Sequence, residues 1–306
     1  MDIPRNISAT IDAASKNYRR YPGVCGVSFG AKISNNDIQM GVEAVQFFVS
    51  EKIDPSDLPR QLPKHVYLRT DDGDVDHGTS IPTDVIELKN LQLCCFSGDF
   101  IGNELGAEGS VALIFENRAD DDKIMLLTCS HVASDLLSTE DSFDMSGGGG
   151  ECFFQATTTA FTTVDGDVLE FDLALAEITQ IDGLQPLEVR GTQVRVTDFA
   201  KPENFSQGDI FDCQSDQSGG HKISLQSAAT TFQNVEAGDV GTISVGNLYA
   251  CKGNVERGDS GGFVYSGNLA VGIIVAKADD GWVFIHALSD AIAFLETKTG
   301  VSIQVF

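Results

Sequence analysis

Residues Asn254–Asn268 read NVERGDSGGFVYSGN, in which Ser260 is framed by Gly258, Asp259, Gly261 and Gly262. Glycine reaches positive φ and lets another backbone or a ligand come close, so a serine among three glycines sits on a tight, open turn. Glycine and serine also cluster in ordinary loops, and this run alone does not decide between the two. The runs beyond the serine, "GGFVYSG", "LAVGIIVA" and "WVFIHAL", are short, apolar and bounded by turn residues, a pattern that reads as strands.

The same texture extends upstream. "SVALIFE", "KIMLLTC", "DLALAEI", "QVRVTDF", "HKISLQSA" and "GTISVGNLYAC" are further strand candidates. With only one late helix, "LSDAIAFLETKT", strands of this number and spacing predict an antiparallel barrel or sandwich. "SGGGG" (Ser146–Gly150) reads as a flexible loop tip. Nearer the amino terminus a helix is expected over Ala9–Tyr18. Beyond it a hairpin is expected from "GVSFGAKI" and "VEAVQFFV", joined by the turn-prone "SNND". "KIDPSDLPRQLP" is irregular, "TDDGDVDHGTS" is a polar loop, and Thr83–Leu88 is another strand. These readings put a boundary near residue 90, giving a small leading α/β unit over 1–90 and a mainly β unit over 91–306.

Composition narrows the function. A 306-residue chain with 42% hydrophobic residues can bury a sizeable core. A formal charge of −25, with Arg19 and Arg20 the only clustered bases, argues against nucleic acid and against anionic membranes as partners. The amino-terminal "MDIPRNISATIDAASKNYRR" has no apolar core of the signal-peptide kind, so a cytoplasmic protein is expected. Seven cysteines, odd in number and without CxxC spacing, fit reduced thiols and neither a disulfide framework nor a zinc site.

A serine hydroxyl is a weak nucleophile. It needs an imidazole as base, a carboxylate to orient that imidazole, and backbone N–H groups for the oxyanion. "IMLLTCSHVASDLL" offers His131 at the end of a strand, with a helix-like stretch after it. "VLEFDLALAEI" offers Asp172 at the head of an apolar run, where a carboxylate can face a cleft.

Taken in order, "LLTCSHV", "FDLALAEI" and "RGDSGGFV" resemble the His, Asp and Ser motifs of the trypsin-like, chymotrypsin-fold serine peptidases, over residues 91 to 290. The resemblance implies a chymotrypsin-like double β-barrel with the site between the barrels. It implies Ser260 as nucleophile, His131 as general base then acid, Asp172 as orienting group, and the Gly258 and Ser260 amides as the oxyanion hole. It also implies that Val275, Ala276 and Lys277 pair with the peptide backbone, and that Asn254 lies at the floor of the primary pocket. A neutral amide there cannot replace the buried carboxylate that pairs with a substrate Arg or Lys. Asp279 or Asp280 entering from the other wall, or Trp282 restricting the pocket, stay open. Arg257, beside the oxyanion loop, either favours acidic groups near the scissile bond or projects into water.

Two departures from the family accompany the match. Val132 follows His131 where extracellular members carry a cysteine, and no activation sequence stands near residue 90 to supply the new amino terminus that pairs with the aspartate before the serine. Asp259 must therefore find another partner, or the enzyme rests in a latent state. The leading segment, "GVCGVSFGAKIS" through "IPTDVIEL", is similar to the first domain of intracellular bacterial and plant peptidases that include the plant narrow-leaf protein. That likeness implies a regulatory, oligomerising or recruiting unit.

Three functions fit these residues: a serine endopeptidase, a catalytically silent peptide-binding scaffold, and an esterase with the same triad. None needs a cofactor or a metal. The expected partners are a protein or peptide substrate and an activating partner or second copy. His65, His77, His221 and His286 read as surface or packing residues, and Cys129 as a packed thiol.

Overall fold

The computed structural model describes residues 4–303 except 19–20, 35–36, 55, 59–60, 71, 94–100, 103–107, 118–122, 130, 133–141, 145–150, 154–170, 179–191, 193, 216–217 and 237–241. The Ser146–Gly150 tip, the helix-like stretch after His131, and Cys94 and Cys95 lie outside the described residues.

The chain opens with α1 (Arg5–Tyr18), whose buried Ile7, Thr10, Ile11 and Ala14 form one stripe at helical spacing. It begins before Ala9 because Pro4, whose ring pre-sets φ, offers its carbonyl to the Ile7 and Ser8 amides at 2.9 and 3.1 Å. The expected hairpin forms as β1 (Val24–Ser34) and β2 (Asp37–Val49). Next come β3 (His65–Arg69) and β4 (Val75–Glu87), antiparallel to each other, with β4 also parallel to β2. The polar "TDDGDVDHGTS" stretch is thus largely strand, not loop. Most of its described residues are exposed, so no apolar alternation marks it, and the ladder to β3 holds it instead. The apolar side of α1 closes over Val27, Phe29, Val45, Phe47 and Ile81 as a small core of its own.

The middle of the chain contributes β5 (Gln92–Leu93), β6 (Ile101–Gly102), β7 (Glu108–Gly109), β8 (Leu113–Asn117), β9 (Lys123–Thr128), β10 (Ser142–Asp144), β11 (Glu151–Phe153) and β12 (Ala174–Ile178). Strands β8, β9 and β12 make one antiparallel sheet; β6, β7, β10 and β11 make another. The last part adds β13 (Asp198–Phe199), β14 (Ile210–Ser215), β15 (Gly219–Glu236), β16 (Thr242–Gly253), β17 (Phe263–Ser266), β18 (Leu269–Ala278), β19 (Trp282–Ala287) and α2 (Leu288–Thr299).

Six of these strands close on themselves. The order β14-β17-β18-β19-β16-β15 returns to β14, every pairing antiparallel, so the sheet is a barrel without free edges. All of β19 is buried because its alternate side chains serve two cores: Val283 and Ile285 inside the barrel, Trp282 and Phe284 outside it. The fold is mainly β, as expected.

Strand β15 is long enough to leave the barrel and pair with β1, which joins the leading sheet to it. Phe48 of β2 then packs against Phe232, Trp282 and Phe284, with ring centroids 5.5 to 6.0 Å away. Burying such a ring contributes about 1.5–3 kcal/mol, so the leading residues are held on the barrel by apolar contact as well as by the ladder. Among the described residues no helix is long and apolar enough to cross a membrane.

Candidate active site

Antiparallel pairing explains how His131 and Asp172 meet. Strand β9 ends at Thr128, directly opposite Ala174 where β12 begins. His131, just beyond one end, and Asp172, just before the other, are therefore neighbours. Asp172 accepts twice from His131: Oδ1 from the backbone N–H at 3.1 Å, and Oδ2 from the ring at Nδ1. Both residues are fully buried. Burial works to raise the Asp172 carboxyl, but the charge and hydrogen bonds of His131 outweigh it and hold the group below the usual carboxylate range.

A third residue supports the pair, although its sequence setting marks it only as a packing residue. His286, fully buried on β19, accepts the Asp172 backbone N–H at its Nε2, 2.9 Å away, and its Nδ1 lies 3.3 Å from the Asn247 carbonyl. These bonds require a neutral ring with the proton on Nδ1. Burial pushes His286 down to about 4, against the opposing pull of Asp172. The unfolded chain, with an ordinary histidine near 6.5, binds more protons than the folded one between pH 4 and 6.5, so stability rises with pH across that window. A displacement of this size is worth about 3 kcal/mol. Urea midpoints are expected to fall between pH 7 and 4.5 in the wild type and to fall less in His286→Gln, whose amide oxygen can still accept from Asp172. Equal pH dependence in the two proteins would refute a neutral, proton-excluding His286.

Ser260 lies on the turn between β16 and β17, bolted to the β8–β9 sheet. The Ser110 amide donates to the Ser260 carbonyl at 2.8 Å, Ser110 Oγ to the Gly258 carbonyl at 3.0 Å, and Thr128 Oγ1 to the Ser110 carbonyl at 2.9 Å. Gly261 is confined to glycine twice over. Its φ is +83°, and a Cβ there would stand 1.9 Å from the Ser110 carbonyl oxygen. Gly258 has φ +96°, a conformation that disfavours any side chain. Among the described residues neither the Gly258 nor the Ser260 amide donates to a protein acceptor.

Asp259 has found a partner inside the chain. Its buried carboxylate accepts from the Ser218 amide at 3.1 Å, the Ser218 hydroxyl at 2.5 Å and the Glu256 amide at 2.7 Å. Ser218 belongs to the turn between β14 and β15, so the barrel itself holds the loop that carries Ser260, without a newly cut amino terminus. Losing a hydrogen bond to a buried charged group costs about 1.5–3 kcal/mol. Ser218→Ala is expected to lower the unfolding free energy by about 1.5–3 kcal/mol, with Ser218→Thr restoring it. An unchanged urea midpoint in Ser218→Ala would mean that the loop stands without this bond.

The Ser260 hydroxyl donates to the Val275 carbonyl at 3.0 Å. Ser260 is itself fully buried. The ligand atoms of Cys129, His131 and Asp172 lie within 4.8 Å of one another, a metal-like grouping, but the Cys129 thiol donates to the Ile274 carbonyl at 3.2 Å and Asp172 is engaged by His131.

Beside the serine turn is a cavity of about 960 Å³. Its lining includes Asn254, Arg257, Lys277, Asp279, Leu91 and Gln92. Asn254 is exposed at this cavity, whereas Val275 and Ala276 are buried on β18. Lys277 Nζ donates to the Val255 carbonyl at 3.1 Å. Trp282 stacks on Phe284 in the core instead of restricting the cavity.

No family model and no curated protein matches the chain. Solved structures similar to it include a glutamic acid-specific serine protease that uses a histidine triad in substrate binding, at 18% identity and TM-score 0.49, covering 67% of this chain and 98% of that one. Thermobifida fusca Protease A is similar at 18% identity and TM-score 0.44, covering 70% of this chain and 97% of its own. The HtrA-type protease AlgW is similar at 13% identity and TM-score 0.42, covering 92% of this chain and 66% of that protein.

Proposed function

We propose that the chain is a serine endopeptidase of the trypsin-like type. The observation that carries this reading is that the Asp172 carboxylate fixes the His131 ring just beyond the end of β9, while Thr128 at that end and Ser110 hold the glycine turn of Ser260, whose two amides meet no acceptor among the described residues. In the reaction Ser260 Oγ attacks the scissile carbonyl carbon as its proton passes to His131 Nε2. The carbonyl electrons move onto oxygen, where the Gly258 and Ser260 amides hold the negative charge. Collapse of this intermediate breaks the C–N bond, and the amine leaves with the proton from His131. Water, deprotonated by the same ring, then splits the acyl-enzyme and restores the serine. Asp172 keeps the ring's Nδ1 protonated and Nε2 facing the chemistry.

The substrate is a protein or peptide, read along β18 at Val275, Ala276 and Lys277. The resting chain is latent, a reading supported by the full burial of Ser260, His131 and Asp172, and an activating partner or a second copy would relieve it. A reducing, cytoplasmic setting is supported by the free thiols of Cys25, Cys129, Cys213 and Cys251 among the described residues. Intact-mass detection of fluorophosphonate labelling, on wild type beside Ser260→Ala, tests the reading. A label that the wild type takes in the presence of peptide but not at once by itself, and that Ser260→Ala never takes, is expected; immediate labelling of the intact chain alone would refute latency. Turnover of simple esters without peptides would favour an esterase, and no label on a folded wild type incubated with peptide would leave a binding scaffold.

A further inference from the structure

The edge of β18 that a peptide would use is already occupied by the chain itself. Strand β5 pairs antiparallel with it, Leu93 opposite Ala276 and Gln92 opposite Lys277. The Asp279 amide extends the contact by donating to the Lys89 carbonyl at 2.9 Å, and Asn90 Nδ2 donates to Asp279 Oδ2 at 2.5 Å. On its other side Gln92 pairs with Glu236 at the end of β15. Asn90, at φ +50°, makes the bend that turns the chain from β4 into this groove. From Gln92 to Leu93 the backbone advances toward Val275, whose carbonyl holds the Ser260 hydroxyl. Addition of an extended segment to a sheet edge is how such grooves take peptides. Here the segment has the direction and register of a peptide aimed at the serine.

One side-chain contact gives the arrangement chemical content. The Arg257 guanidinium donates to Gln92 Oε1 from Nε at 3.2 Å and from Nη2 at 2.5 Å, a fork closed on a single acceptor oxygen. A carboxylate at that position would engage the same fork more strongly. If the residue opposite Val275 precedes the scissile bond, Gln92 stands in the third position before it.

We propose that Lys89–Leu93 is an internal occupant of the substrate groove that keeps the resting enzyme blocked, and that Arg257 selects substrates with Gln or Glu at the third residue before the scissile bond. This inference rests on the peptidase reading of the site. Among the described residues the occupant is held by two paired residues on β18, one on β15, the packing of Leu91 and a few polar contacts, a short attachment that a longer competing strand can displace from β18. A groove that is open only part of the time weakens apparent substrate affinity by that fraction. Releasing the occupant therefore lowers KM and leaves the chemical step alone.

The test uses the full chain and quenched peptides carrying Gln, Glu, Ala or Lys at the third position. Gln92→Pro removes the amide that the ladder needs. KM for the Gln and Glu peptides is expected to fall about tenfold in Gln92→Pro with kcat held, and Arg257→Ala is expected to erase the preference for Gln and Glu over Ala and Lys. A KM that is unchanged or higher in a folded Gln92→Pro protein overturns the proposal, because a strand that merely belongs to the fold would give that result. Should neither protein hydrolyse peptide or take a fluorophosphonate, the peptidase reading has failed, and hydrogen exchange still decides the occupancy. In Ser260→Ala, millimolar Gln peptide is expected to speed exchange of the Lys89–Leu93 amides, and unchanged exchange overturns the proposal. The same exchange measurement serves if Gln92→Pro does not fold.

Discussion

Ser260→Ala and His131→Ala are each expected to lower kcat by about 10⁶, and the double variant to be no slower than either. The non-additivity comes from the division of labour. Without the imidazole the hydroxyl cannot shed its proton at neutral pH, and without the hydroxyl the imidazole has no nucleophile to activate, so either loss removes the whole step. What remains, about 10³–10⁴ over water, belongs to the two amides and the groove. Steady-state kinetics on the three variants reads the effect directly. Rate losses that multiply in the double variant would mean that the two side chains act separately. The variants should differ in stability even where they agree in rate. Removing the Ser260 hydroxyl frees only the Val275 carbonyl, whereas His131→Ala strips the buried Asp172 carboxylate of its ring partner. An uncompensated buried charge costs about 3–5 kcal/mol. A drop in melting temperature for His131→Ala, beside an almost unchanged value for Ser260→Ala, is the accompanying signature.

The residues that make up the proposed triad were legible in the sequence because the chemistry restricts which residue types can do the work. Their supports were not. Ser218 and Ser110 are serines in polar surroundings, and what matters about each is a backbone brought beside it by distant strand pairing. His286 sits in "WVFIHAL", where alternation gives a buried position but cannot say that the Asp172 amide faces it. Long apolar strands were readable for the same reason that they are buried, and α2 runs over the residues its pattern predicts. Thr83–Leu88 was readable as the end of β4, whereas β3 and the first part of β4 are mostly exposed or half-buried and left no alternation to find. Strand β5 has two residues and no periodicity at all; only its partners, β15 and β18, define it. The aspartate before the nucleophile shows the limit most clearly. The sequence required a partner for Asp259 or a latent enzyme, and the structure supplies a partner in Ser218 while also putting the chain's own strand on the edge of β18.

Asp172→Asn is expected to lower kcat about 10⁴-fold while leaving KM and the fold close to wild type. Asp172 faces two donors on His131, the backbone N–H and the ring N–H. Asparagine has one oxygen and one NH₂ to offer them. The backbone N–H cannot give up its proton, so the amide oxygen must stay with it and the NH₂ must turn to the ring. The ring answers by moving its proton from Nδ1 to Nε2, since a neutral imidazole can donate from either nitrogen. All buried groups remain paired, which is why stability changes little. The nitrogen that should take the Ser260 proton, however, already carries one. His286 limits any escape by rotation, because its bond to the Asp172 backbone amide does not depend on the side chain and keeps position 172 where it is. A parallel loss in the fluorophosphonate labelling rate, with unchanged KM for peptides, would assign the effect to the tautomer. Retention of more than about a tenth of wild-type kcat in a folded Asp172→Asn protein would show that the carboxylate is not what orients the base.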